Sequence, residues 1–155
     1  MQLRDEHILD QVTSILDDTG LDPTFLEIEV TDSVLMHRPE VTARMFQVLR
    51  EMGIRVSIDD FGTRYSSLSY LAKLPLDALK IDQSFVHHIS TTPENRAIVS
   101  AIISMARSLN LRVIVEGVET AEELTFLKTQ KCDEAQGYFF SRSVPADQIA
   151  RQFIN

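Results

Sequence analysis

Apolar residues recur at helical spacing over Ile8, Val12, Ile15 and Leu16, and Gly20 supplies a stop. After the Asp22-Pro23 turn, Leu26 to Val30 reads as a strand. A second helix is expected after Pro39, with Val41, Met45, Val48, Leu49 and Met52 on its apolar face and Gly53 at its end. Ile54 to Ile58 is a β-branched run, hence a strand. Ser67 to Leu74 is expected as a short helix closed before Pro75, and Ala78 to Ile81 as a brief strand. Thr92-Pro93 opens a long helix whose predicted core face is Ile98, Ala101, Ile102, Met105 and Leu109. Leu111 to Val115 reads as a strand. Thr120 with Glu123 is a capping box that opens a helix through Leu124 and Leu127. A weak strand is expected near Asp133 to Gln136, and a last helix from about Ala146.

The pattern is therefore one helix followed by five strand–helix units, with strand starts roughly 22 to 33 residues apart, the size of a βα unit. Such alternation predicts an α/β fold with a parallel sheet covered by helices. Two architectures remain open, a doubly wound sheet and a (β/α)8 barrel. A barrel takes about 250 residues, so this chain is expected to supply about five of eight units.

Composition narrows the class. The chain has 155 residues, a formal charge of −8, 44% apolar and 25% charged residues. It is long enough for one domain with a real core. The acidic balance argues against a nucleic-acid polymer as partner, but not against a small anionic ligand held through metal ions. The single cysteine, Cys132, excludes an internal disulfide. No apolar run reaches the roughly 18 residues of a membrane span. The N-terminal residues are too charged for a signal peptide. The expected location is the cytoplasm.

Candidate chemistry gathers at the predicted strand ends. Glu29 ends the first strand, Asp59 and Asp60 the second, Lys80 and Asp82 flank the third, Glu116 ends the fourth and Gln136 the fifth. Parallel strands present these ends on one face, where barrels and open α/β sheets build their sites. Four carboxylates repel one another unless cations sit between them. Hard oxygen donors suit Mg²⁺ or Mn²⁺. Two such ions activate water and brace a phosphoryl oxygen, and a lysine beside them steadies negative charge. The set reads as metal-assisted phosphodiester hydrolysis. Taken singly, an acid after a strand is equally well the N-cap of the next helix. Asp59 and Asp60 together resist that reading, since one cap needs one side chain. His87-His88 reads as a surface pair and Cys132 as a small core residue. Asp60-Phe61-Gly62 matches the metal-binding tripeptide of protein kinases. No Gly-rich loop or His-Arg-Asp segment precedes it, so a kinase is rejected.

Five segments carry a family resemblance. They are Leu26 to Asp32, Ile58 to Leu68, Leu79 to Asp82, Val115 to Glu119 and Gln136 to Ser141. In this order they resemble the EAL domain, a family of bacterial cyclic-di-GMP phosphodiesterases. The resemblance covers nearly the whole chain. It implies a (β/α)8 barrel variant that opens cyclic di-GMP to linear pGpG with two Mg²⁺ or Mn²⁺ ions. It makes Glu29, Asp59, Asp60 and Glu116 metal ligands, with Asp59 bridging. Lys80 resembles the lysine that positions the attacking water, so Lys80 and Glu116 are the candidate catalytic pair. Asp82, Glu119 and Gln136 resemble residues that contact substrate or steady the ligand side chains. Asp32, Phe61, Gly62, Thr63, Arg64, Ser66 and Ser67 resemble the loop apparatus that couples the metal site to a dimer interface.

The departures shape the functional expectation. The glutamate of the Glu-Ala-Leu segment and an asparagine ligand, both metal-binding in the family, have no counterpart here. The chain is expected to be the C-terminal portion of a single EAL domain, over residues 1–155, and to show negligible hydrolysis in isolation. The alternative is a degenerate module that binds a nucleotide or a protein partner without chemistry. Asp32 stands where the family has glutamate, Arg64 where it has glycine and Ser143 where it has proline. A partial barrel leaves open edges and an uncovered inner face, so a homodimer or larger oligomer is expected. The family also accompanies upstream sensor and diguanylate cyclase domains.

Overall fold

Five short segments form one parallel sheet in the computed structural model, which describes residues 7–31, 39–62, 68–87, 89, 91–145 and 148–149. In chain order the elements are α1 (His7–Thr19), a 3₁₀ turn at Pro23–Phe25, β1 (Glu27–Thr31), α2 (Pro39–Glu51), β2 (Arg55–Phe61), α3 (Leu68–Leu71) and β3 (Ala78–Ile81). There follow α4 (Gln83–Val86), α5 (Pro93–Ser108), β4 (Arg112–Val115), α6 (Ala121–Thr129) and β5 (Glu134–Ala135). Spatial order equals sequence order, β1-β2-β3-β4-β5, and every neighbouring pair is parallel. A doubly wound sheet reverses its order at a switch point. This one does not, which settles the open choice: the sheet is an arc of a barrel, with its crossover helices on one side.

Strand alternation sorts the two faces. Val30, Val56, Ile58, Leu79, Ile81, Val113 and Val115 join the main core with Phe46 and Leu49 of α2, Val99 and Ile103 of α5, and Leu127 of α6. The opposite parity carries Glu27, Glu29, Arg55, Ser57, Asp59, Lys80 and Arg112. Arg112 Nη2 lies 2.9 Å from Glu27 Oε2, although β4 and β1 are three strand spacings apart, about 14 Å along the sheet. Its Nη1 bonds Glu134 of β5, and Arg55 Nε is 3.9 Å from Glu27 Oε2. Side chains three strands apart meet because the sheet curves toward them. The entry to the strands repeats one device: Asp77 accepts from Val56 N and Asp133 from Val113 N, both at 2.9 Å. Each satisfies a strand N–H that the core would otherwise strand without a partner.

Two helices match the face their spacing predicts only in part: Leu49 and Ile102 are buried, and Met45, Met52, Met105 and Leu109 pack against the core, but other expected positions give way to their neighbours. In α2 the buried residues are Thr42, Phe46 and Leu49, and Val41 is 57% exposed. In α5 they are Val99, Ile102, Ile103 and Ala106, and Ile98 is 39% exposed. Both helices carry apolar residues on adjacent stripes about 100° apart. Packing on the sheet selects one stripe, and local periodicity does not. Thr92 sits at the N-cap of α5 but makes no side-chain cap bond, leaving Pro93 as the start signal. The Thr120–Glu123 capping box forms as expected. The predicted helix at Ser67–Leu74 is described only as Leu68–Leu71, and Ser67 lies outside the described residues. So does most of the expected last helix, of which Gln148 and Ile149 are described. Among the described residues no helix is long and apolar enough to cross a membrane.

Candidate active site at the strand ends

The register of β1 to β4 brings polar residues far apart in sequence onto the upper part of the concave face. Lys80, on β3, is the centre. Its ammonium lies 2.7 Å from Glu29 Oε1, 2.5 Å from Glu116 Oε1 and 3.9 Å from Asp59 Oδ1. The side chain is only 6% exposed, whereas Glu29 is 49% exposed. Burial alone pushes the ammonium toward the neutral form. The hydrogen bonds that Lys80 donates to Glu116 and Glu29 and the charges of Glu116 and Asp59 together outweigh it, so Lys80 is held above the ordinary lysine range. It is a fixed cation at neutral pH, a donor and not a base.

A bulge places the paired aspartates. Ile58 pairs with Leu79 and Phe61 with Ile81, so Asp59 and Asp60 both stand opposite Lys80. In an unbroken strand, consecutive side chains point to opposite faces. The extra residue breaks that rule and re-aims a side chain. Asp60 takes φ 56°, a left-handed conformation aspartate tolerates, and its N–H donates to Asp59 Oδ1 at 2.9 Å. That bond fixes the Asp59 carboxylate toward Lys80.

Gln136 reaches the same cluster. Its Nε2 donates to Glu116 Oε1 at 2.9 Å, the oxygen that Lys80 also contacts. The loops after β4 and β5 are laced together by Val118 N to Gln136 O at 3.0 Å and Phe139 N to Val118 O at 2.9 Å. Gly137 permits this approach, because a Cβ there would meet Val118 N and O at 2.3 Å.

Other expected site residues have their hydrogen bonds or packing outside the Lys80 cluster. Asp82 accepts from Ser84 N at 2.9 Å and caps α4, a helix that periodicity did not reveal. Glu119 is exposed, and its N–H donates to Glu123 within the capping arrangement of α6. Phe61 is buried in the core, and Gly62, at φ 96°, abuts the Phe85 ring. Asp32, Thr63, Arg64, Ser66 and Ser67 lie outside the described residues, as does His88. Cys132 is half-buried against the core, and burial pushes its thiol up to about 11. The lower concave layer of Arg112, Arg55, Glu27 and Glu134 went unread in sequence, although Glu27 and Arg112 share the strand parity of Glu29 and Glu116.

Charge balance separates the two layers. Below, two arginines face two glutamates. Above, three carboxylates face one ammonium, so only the upper layer has negative charge left to attract a cation. Its donors are hard carboxylate oxygens, which fit Mg²⁺ or Mn²⁺ in kind. Among the described residues no three His, Cys, Asp or Glu side chains are gathered as a ready metal cage. The carboxylates are drawn onto Lys80 instead.

Comparisons with known proteins identify the relatives of this chain. The family model described as the EAL domain matches residues 1–143. Over 138 residues the chain is 49% identical to the cyclic di-GMP phosphodiesterase NbdA of Pseudomonas aeruginosa, covering 89% of this chain and 18% of that protein. The chain spans about a fifth of the length of the curated relatives it matches. Among solved structures, the PaMucR phosphodiesterase in its c-di-GMP complex superposes with a TM-score of 0.92 at 40% identity, over 96% of this chain and 60% of that one. The manganese/cy-diGMP complex of Klebsiella pneumoniae BlrP1 gives a TM-score of 0.81 at 32% identity, over 90% of this chain and 36% of that one.

Proposed function

The chain belongs to the EAL domain family, and from that premise we propose that its 155 residues form the C-terminal portion of a single EAL domain whose substrate is cyclic di-GMP. The observation that carries the reading is the Lys80 cluster: one buried ammonium shared by carboxylates from β1, β2 and the end of β4, at the strand ends where barrels hold their sites. The proposed reaction is hydrolysis of one phosphodiester of cyclic di-GMP to give pGpG.

Glu29, Asp59, Asp60 and Glu116 would hold the divalent ions, Mg²⁺ or Mn²⁺. When bound, such ions lower the pKa of water and neutralise charge on the phosphate. The protein's own residues do the rest. Lys80 stays protonated and directs its N–H groups at developing negative charge. Gln136 holds Glu116 in one orientation by its amide. Asp60 N holds Asp59 in the same way.

The 155 residues alone contain no Glu-Ala-Leu segment. Incubated with cyclic di-GMP and Mg²⁺ or Mn²⁺, this polypeptide is expected to form negligible pGpG. Robust pGpG formation that Asp59→Asn abolishes would refute that expectation. The phosphodiesterase reading is tested by a chimera in which residues 1–143 replace the matching stretch of an active EAL domain. We expect cyclic-di-GMP turnover that Lys80→Met removes. A folded chimera without turnover would instead support a binding module. Self-association of the chain, followed by sedimentation, is part of the same proposal.

A further inference from the structure

Strands β1 and β4 are bridged twice across the concave face. Lys80 joins Glu29 of β1 to Glu116 at the end of β4. Two residues earlier on β1 and four earlier on β4, Arg112 joins Glu27 directly at 2.9 Å. Between the bridges lie Ser57 and Ala78, both fully buried, and Ile114. Backbone pairing fixes each strand against its neighbour only, so the reach from β1 to β4 depends on sheet curvature. Twist and coil vary by tens of degrees among sheets of the same pairing. A guanidinium is suited to hold such a span, because its planar fork bonds two carboxylates in fixed directions. Here one arm takes Glu27 and the other Glu134 of β5.

We propose that Arg112 is a positioning residue for the Lys80 site: by holding Glu27 it sets the distance from β1 to β4, and so the separation at which Glu29 and Glu116 share Lys80. The functional meaning rests on reading that cluster as the working site. The geometric claim does not.

The test uses the full 155-residue chain with Arg112→Gln, Arg112→Lys, Glu27→Gln and Glu134→Gln. Leu127→Ala, on the helix side, serves as a control for lost stability alone. The first readout is proton exchange of the Lys80 ammonium, followed by ¹⁵N NMR without metal. The second is Mn²⁺ affinity. Arg112→Gln and Glu27→Gln should each speed Lys80 exchange several-fold and weaken Mn²⁺ binding. Arg112→Lys, which keeps the charge but loses the fork, should fall between. Glu134→Gln should stay near the parent, since the grip on β1 remains. Lys80 exchange unchanged in folded Arg112→Gln and Glu27→Gln, or equally fast in Leu127→Ala, would overturn the proposal. If the parent chain binds no Mn²⁺, the cluster has no metal-holding role in this chain by itself, and the Lys80 exchange still decides the role of Arg112.

Discussion

Replacing Lys80 by methionine removes the cation and keeps most of the stem, so little cavity is left and the measured effect is electrostatic. Two charge-assisted hydrogen bonds disappear, at 2.7 Å and 2.5 Å, with a third carboxylate at 3.9 Å. Bonds to charged groups contribute about 1.5–3 kcal/mol each when shielded from water. Glu29 is half exposed, so its share falls to about 0.5 kcal/mol, as for surface pairs. Glu116 is largely covered and keeps more. Against these stands the cost of burying the ammonium, which the mutation relieves. The expected loss is about 2 kcal/mol at pH 7, or a fall in Tm of roughly 4–8 °C for a domain of this size. Urea titration of both proteins measures it. The pH dependence has a definite sign. Because the folded-state pKa of Lys80 is raised, its contribution is complete below the ordinary lysine range, near pH 10, and is lost as pH climbs through the folded value. Parent and variant should therefore converge only in strong alkali. The variant also leaves three carboxylates without their cation, so millimolar Mg²⁺ should stabilise it more than the parent. A variant as stable as the parent at pH 7, or indifferent to Mg²⁺, would refute the reasoning.

Three further outcomes follow from single contacts. Gly137→Ala should cost at least about 3 kcal/mol, because its Cβ meets Val118 backbone, whereas Gly20→Ala meets nothing within 4 Å and should cost about 1 kcal/mol for its positive φ; urea unfolding separates them. Glu123→Ala removes a buried carboxylate that accepts from Glu119 N and Thr120 N, so stability should drop by about 1–2 kcal/mol and hydrogen exchange at those two amides should rise. Cys132, with its thiol raised to about 11, should react negligibly with a thiol reagent at pH 8 in the native chain and promptly in denaturant.

Local pattern determined much of this molecule, wherever a signal is complete within a few residues. Gly20 and Gly53 follow the ends of α1 and α2, the Thr120–Glu123 box starts α6, and apolar β-branched runs mark β2 and β4. That Glu29, Asp59, Lys80 and Glu116 would share one end of the sheet also follows from sequence, because parallel strands leave no other arrangement. The remainder depended on partners far along the chain. Thr42 and Phe46 are buried in place of Val41 because the sheet selects one of two adjacent apolar stripes. Asp60 stands beside Asp59 opposite Lys80 because β3 offers one residue to two on β2. Asp82 has the same sequence context as the site carboxylates, a position just after a strand, yet it caps α4. Arg112 finds Glu27 across 85 positions because the sheet curves. Sequence alone thus determined which residues end the strands, a matter of periodicity and chain direction. Only the tertiary structure decided which of them meet, because register, bulge and curvature arise when distant segments pack together.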